Sequence, residues 1–180
     1  MDDGMYYRQY LAGDDDGLRL LIDEYRYGLT IYLNTMLEDY GAAEDIAQDV
    51  FIELALHRPE YSGHSSFKTW LYAIAKHKAQ HFSRSRREYP DEAALAEGVS
   101  PEEVESSVIR SDNDRMLYAA MKRLKSSYRQ VLYLIYFEQM SISDAARIMG
   151  RSGRYVSHLH FRAKKSLKQE LIKEGFVYED

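Results

Sequence analysis

Cysteine is absent from the 180 residues, which excludes disulfides and thiol catalysis and fits a reducing cytoplasm. Proline occurs three times and glycine ten times, so little interrupts the helical spacing of apolar residues that runs through almost the whole chain. No apolar run approaches the roughly 18 residues of a membrane span. The opening "MDDGMYYRQYLAGDDDG" is acidic and lacks the basic and apolar regions of a signal peptide. The tail after Leu171 is too short for a further sensory domain. There is no internal repeat. Six histidines are present, but no catalytic triad, Gly-rich phosphate loop or metal motif accompanies them, so an enzyme is not expected.

What is present is charge, sorted into blocks. The net charge is −5, yet residues 1–49 hold 12 acids against 3 bases, and residues 50–87 hold 7 bases against 2 acids. Residues 88–112 return to 8 acids and 1 base, and residues 113–180 carry 13 bases and 7 acids. Basic blocks suit polyanions; acidic blocks suit basic protein surfaces and weaken unaided DNA binding. The stretch 88–112 holds two of the three prolines and reads as an acidic linker between domains at 1–87 and 113–180. Each flanking unit has a plausible size for a small helical domain. The expected fold is therefore all-α, with two small helical domains joined by that linker.

In the first domain, Leu18, Leu21, Ile22, Tyr25, Leu29, Tyr32, Leu33 and Met36 recur at three- and four-residue steps and mark a long amphipathic helix. Ala43, Ile46, Ala47, Val50, Phe51 and Leu54 mark the core side of the next one. Its other side carries Asp45, Gln48, Asp49 and Ile52, either a solvated acidic face or a docking surface for basic helices. A third helix starts near Phe67, capped by Ser65 or Ser66, with Phe67, Trp70, Leu71, Ile74 and Phe82 as its buried stripe. Lys68, Lys76, Lys78, Arg84, Arg86 and Arg87 make it basic, with Trp70 and Tyr72 nearby. Cations beside aromatic rings suit a separated DNA strand, whose phosphates and unstacked bases they hold. A basic helix end answering the helix dipole is the plainer alternative. The polar loop before this helix, with Ser62 and His64, has room to cup a base. His77 and His81 stand four apart, but Lys78 sits where H-E-x-x-H needs Glu, so no metal is expected.

In the second domain, two helices break near Lys125 to Ser127, with Ser126 or Ser127 as the second cap. Leu117, Ala120, Met121 and Leu124, then Val131, Leu132, Leu134, Ile135 and Phe137, are its expected core. Next comes "SDAARIMGRSGRYVSHLHFRAKKSL". Ser141 and Asp144 form an approximate capping box, Gly150 supplies a left-handed stop, and Ser152 caps a following helix. Small Ala145 and Ala146 permit a close helix crossing. Val156, Leu159, Ala163 and Leu167 turn inward, leaving Arg151, Ser152, Arg154, Tyr155, Ser157 and His158 at the exposed start, where a recognition helix meets base edges. Arg162, Lys164 and Lys165 lie where phosphates would be. A plain helical hairpin with a charged face shares this periodicity.

The order of these segments resembles the two-domain extracytoplasmic-function (ECF) sigma factors of bacterial RNA polymerase, from Leu18 to Leu171 apart from the linker. "AEDIAQDVFIEL" looks like the helix that docks on the clamp coiled coil, which implies core-polymerase contacts at Asp45, Gln48, Asp49 and Ile52. "FKTWLYAIAKHKAQHFSRSRR" is similar to the segment that opens and reads the −10 element. The resemblance implies −10 contacts at Ser62, His64, Lys68, Trp70, Lys76, His77, Gln80, Arg84 and Arg87. The region from Leu124 to Leu167 looks like the −35 reader that also touches the polymerase flap. It implies −35 contacts at Arg151, Ser152, Arg154, Tyr155, Ser157, His158, Arg162 and Lys165. His77, His81, Lys125 and His160 stand where many members carry Asn, Asp, Pro and Leu. His160 is expected to be a core histidine with a hydrogen-bond partner. The resemblance implies promoter DNA, core polymerase and an anti-sigma factor as partners, with no cofactor and no covalent chemistry. A stand-alone helix–turn–helix regulator is the alternative, distinguished by tight operator binding without polymerase.

Overall fold

Asp14 lies in extended backbone, and its side chain accepts the Asp16 amide at 3.1 Å, which starts the longest helix among the described residues. The computed structural model describes residues 4–88 and 112–176, and among these every regular element is helical. Four helices form the first half: α1 (Gly4–Leu11), α2 (Asp15–Leu37), α3 (Tyr40–His57) and α4 (Phe67–Glu88). Glu38 turns left-handed to end α2, and Asp39 caps α3 by accepting the Ala42 amide at 3.1 Å. That two-residue link, Glu38 and Asp39, forces α2 and α3 into an antiparallel pair. Ser66 caps α4 by accepting the Thr69 amide at 3.1 Å, one of the two caps expected.

The expected core is present. Leu21, Leu29, Tyr32 and Leu33 of α2 meet Ala43, Val50 and Leu54 of α3 and Phe67, Leu71 and Tyr72 of α4, all essentially without solvent exposure. Each such Leu or Phe contributes about 1.5 to 3 kcal/mol relative to exposure. Helix α1 was not anticipated. Its Tyr7 and Tyr10 are buried, and their hydroxyls donate to the carbonyls of Pro59 at 2.7 Å and Ala55 at 2.9 Å. Gly17 lets α1 cross α2, because a β-carbon there would strike the backbone of Tyr6 and Tyr10.

The second half comprises α5 (Asp112–Lys122), α6 (Ser126–Leu132) running on into a π turn (Tyr133–Phe137), α7 (Ile142–Met149) and α8 (Gly153–Lys173). Two expectations fail here. The cap position of α6 is Lys125, which makes no side-chain cap bond, and neither Ser126 nor Ser127 holds that place. Ser126 instead donates across the molecule to the Thr35 carbonyl at 3.0 Å. Phe137 is not core. The wider π turn shifts the helical register, leaving the ring 54% exposed and stacked on Tyr133 at 5.3 Å. Val131, Leu132, Leu134, Ala145, Ile148, Val156 and Ala163 are buried in this half and are continuous with the apolar core of the first.

The two halves meet along a seam in which α4 faces α7 and α2 faces α6 and the π turn. Arg129 is buried there. Its guanidinium donates to the Thr35 carbonyl at 3.1 Å and to the Leu124 carbonyl at 2.7 Å, and it pairs with the Glu38 carboxylate. Tyr133 donates to the Gly28 carbonyl at 3.2 Å, and its ring stacks on Tyr32. A β-carbon at Gly28 would come within 2.6 Å of the Tyr72 hydroxyl and 2.7 Å of the Glu138 carboxylate, so glycine permits this approach.

Candidate nucleic-acid and polymerase interfaces

The helix–turn–helix forms as the local signals require. Ser141 accepts the Asp144 amide at 3.1 Å and donates to the Asp144 carboxylate at 2.6 Å. Gly150 has φ of +61°, the left-handed value that ends α7. Ser152 accepts the Tyr155 amide at 3.2 Å and starts α8. Val156, Leu159 and Ala163 are buried, and Leu167 packs against the core. Helix α8 therefore presents a fixed outer face carrying Arg154, Ser157, His158, Arg162, Lys164 and Lys165, all exposed. Arg151 and Tyr155 are exposed too, but their contacts differ: Arg151 stacks over the Tyr155 ring at 5.6 Å, and both line a cleft toward α4.

His160 has its hydrogen-bond partner but is no core residue. It sits half-buried, 3.2 Å from the Tyr136 hydroxyl. Burial, helped by Lys164, lowers its pKa, so the ring stays neutral at physiological pH.

The −10 set of α4 and the preceding loop is divided. Trp70 is half-buried in an aromatic cluster with Tyr7, Tyr61 and Phe67, at centroid distances of 5.3 to 5.5 Å. Tyr72 is fully buried, so it offers no ring to a base. Burial and the adjacent Glu138 carboxylate raise its pKa. His77, Gln80, Arg84 and Arg87 are exposed along one helical stripe. Ser62 and His64 bond each other in the loop, whose path is held by Tyr61 donating to the Ser65 carbonyl at 2.6 Å.

Lys68 and Lys76 are engaged by the other half of the molecule. Lys68 reaches the Glu138 carboxylate at 2.6 Å and its carbonyl at 3.0 Å. Lys76 is 8% exposed and donates to the Met149 carbonyl, the C-terminal end of α7. Burial, reinforced by Arg151, brings the Lys76 amine down to about 8 from the usual 10.5. Beside it lies a cleft of about 480 Å³ whose charged lining is Lys76, Arg84, Arg87 and Arg151, without a carboxylate among the described residues.

On α3, Asp45, Gln48, Asp49 and Ile52 lie together on the exposed side, and Ile52 is 50% exposed. Leu56, 74% exposed, continues this face one turn on. The signal was available, because Leu56 follows Ile52 by four residues. The seam residues Glu38, Arg129, Tyr133 and Glu138 were also missed, and nothing local marks them. Among the described residues no group of three or more His, Asp or Glu side chains stands ready for a metal ion. None of the described helices is long and apolar enough to cross a membrane.

A helix–turn–helix with a free recognition face, joined to a second helical unit with a basic helix and an acidic one, defines a two-domain transcription protein. The comparisons specify which. Residues 21–89 match the family model "Sigma-70 region 2" and residues 114–167 match "Sigma-70, region 4". The RNA polymerase sigma factor YlaC of Bacillus subtilis (strain 168) is 30% identical over 88% of this chain and 94% of its own length. The ECF RNA polymerase sigma factor SigX of the same organism is 27% identical over 91% of this chain and 89% of its own. Among solved structures, the sigma factor RpoE in complex with the anti-sigma factor NepR from Bartonella quintana has the same fold. Its TM-score is 0.66 at 21% identity, covering 86% of this chain and 96% of that one. CnrH in complex with the cytosolic domain of CnrY gives 0.64 at 21% identity, over 96% and 99%. The chain belongs to the ECF sigma factors of RNA polymerase.

Proposed function

We propose that this chain directs RNA polymerase to its promoters by dividing the contacts among three helices. As an ECF sigma factor it binds core polymerase, recognises promoter DNA and is not an enzyme. Helix α8 reads −35 duplex through Arg154, Ser157 and His158 at base edges, with Arg162 and Lys165 on phosphates. Arg151 and Tyr155 join them at the start of the helix, and Ser152 fixes its first turn. Helix α4 and its loop take the −10 element. His77, Gln80, Arg84 and Arg87 supply an exposed stripe, Lys68 and Lys76 further cations, and Ser62 and His64 a loop beside an unpaired base. Trp70 supports that loop from the core. Binding energy from captured bases drives strand opening.

The α3 face of Asp45, Gln48, Asp49, Ile52 and Leu56 docks on a basic helical surface of the polymerase clamp. The α6–π turn half touches the flap. An anti-sigma factor is a further partner, supported by the complexes in which two proteins of this fold were solved. The protein works in the cytoplasm, where polymerase is.

The observation that carries this reading is the outer face of α8, capped at both sides of its turn and without a carboxylate partner for Arg154, Arg162 or Lys165 among the described residues. The test is run-off transcription and gel shift on genomic fragments with and without purified core. Specific binding and transcription only with core are expected. A tight, specific shift by the free chain would favour the stand-alone regulator.

A further inference from the structure

Lys76, Gln80, Arg84 and Arg87 follow one another at three- and four-residue steps, so one face of α4 carries them all into the same cleft. Arg151, from the turn that leads into α8, adds a fourth cation. None of the three arginines has a carboxylate partner among the described residues. Other faces of α4 are neutralised: Lys78 meets Glu53 at 3.3 Å, and Arg86 meets Asp39 at 3.0 Å. The want of acid therefore belongs to the cleft and not to the helix. Lys76 is only 8% exposed, and burial together with Arg151 brings its amine down to about 8. Cations gathered in this way repel one another, and a bound anion offsets the repulsion by stabilising the folded chain.

The cleft of about 480 Å³ has the size of a small-molecule site and is too small for a run of nucleotides. Its uncharged lining is mixed. Gln80 and Gln130 offer amides, Ser83 and Ser127 hydroxyls, and Met149 and the Tyr155 ring apolar surface. Guanidinium groups take phosphate oxygens through paired N–H donors. Amides and an aromatic ring suit a flat heterocycle with polar edges. We propose that the cleft binds one nucleoside polyphosphate, with the linked phosphates against Arg84, Arg87 and Arg151 and the nucleoside against the uncharged lining. Lys76 adds positive potential from below the surface. The site needs neither promoter nor polymerase, so it goes beyond the promoter reading and stands or falls without it.

Isothermal titration of the full free chain, at physiological ionic strength and without magnesium, tests the site with ATP, AMP, adenosine and inorganic pyrophosphate. Saturable binding of one ATP per chain is expected. AMP, adenosine and pyrophosphate each lack part of the recognised molecule and should bind at least about tenfold more weakly, the size of a lost hydrogen bond to a charged group. Arg84→Ala combined with Arg151→Ala should weaken ATP by about tenfold or more for the same reason. Arg154→Ala combined with Lys165→Ala removes equal charge from the exposed face of α8 and should change ATP affinity less than about twofold under screening. Ser127→Glu sets a carboxylate among the cleft cations without removing any, and it too should weaken ATP. That variant keeps the test decisive if the first pair loses its helical signal. No saturable ATP binding by the unaltered chain would overturn the proposal. So would equal losses in the two arginine-containing double variants, which would mean diffuse attraction to a basic surface. Pyrophosphate bound as tightly as ATP would overturn the nucleoside part, and adenosine bound as tightly would overturn the phosphate part.

Discussion

Helices α4 and α8 are both basic, both amphipathic and both assigned to DNA, yet they hold their charges differently. On α8, Arg154, Arg162, Lys164 and Lys165 project from the outer face with no carboxylate partner among the described residues. On α4, Lys68 pairs with Glu138, Lys76 with a helix-end carbonyl, Lys78 with Glu53 at 3.3 Å and Arg86 with Asp39 at 3.0 Å. A duplex reader can stand ready, because its target is always displayed in the major groove. A reader of separated strands has no target until polymerase helps expose one. The difference teaches that one net charge can hide two states of readiness, and that the acidic total does not preclude DNA binding by α8.

The comparison can be broken or sharpened by substitution. The largest effect is expected away from both readers. Asp45→Lys with Asp49→Lys places like charges against a basic docking surface and should weaken core binding about a hundredfold, with the far-UV helical signal unchanged. Surface plasmon resonance against core measures it, and normal affinity would mean that the α3 face is merely solvated. Next, Arg154→Ala should cost about 1 to 3 kcal/mol in −35-dependent transcription if its guanidinium reads a guanine. Unaltered promoter use would remove Arg154 from the readers. Gly150→Ala meets no neighbouring atom, so only the left-handed backbone resists it, at about 1 to 2 kcal/mol of stability. Thermal melting should show that loss, and −35 use should suffer before −10 contacts do.

The smallest effect is in pH. Lys76 has its pKa lowered to about 8, so the folded chain carries fewer protons there than the unfolded one with the usual 10.5. Its penalty is full below pH 8 and is lifted as pH rises toward 10.5. Buried Tyr32, Tyr72 and Tyr133 have raised values, and Tyr7 is pushed up to about 12, so the stability they confer is lost above pH 10. The melting temperature should therefore rise slightly from pH 8 to 9.5 and fall beyond 10. A monotonic decline from pH 8 would show that Lys76 is not buried as described.

What could be read from sequence was local. Ser141 with Asp144, Gly150, and Ser152 with Tyr155 act within four residues, and each behaves as its position implies. The core stripes of α2 and α3 follow from helical spacing alone. The linker reading at 88–112 falls on residues 89–111, outside those described, apart from its two ends. Ser126 looked like a cap because nothing nearby reveals that Thr35 will claim its hydroxyl from 91 residues away. Lys68 and Lys76 looked like free cations because their partners lie 70 and 73 residues on. Phe137 looked like core because a π turn is invisible to a 3.6-residue period. Helix α1 was missed within an acidic opening, though Tyr7 and Tyr10 already stand three apart.

Lysine acylation followed by peptide mass spectrometry tests the contrast between the two helices most directly. In the free chain Lys164 and Lys165 should react fast and Lys68 and Lys76 slowly, and addition of core polymerase without DNA should speed the latter pair. Equal reactivity of all four lysines in the free chain would contradict the account.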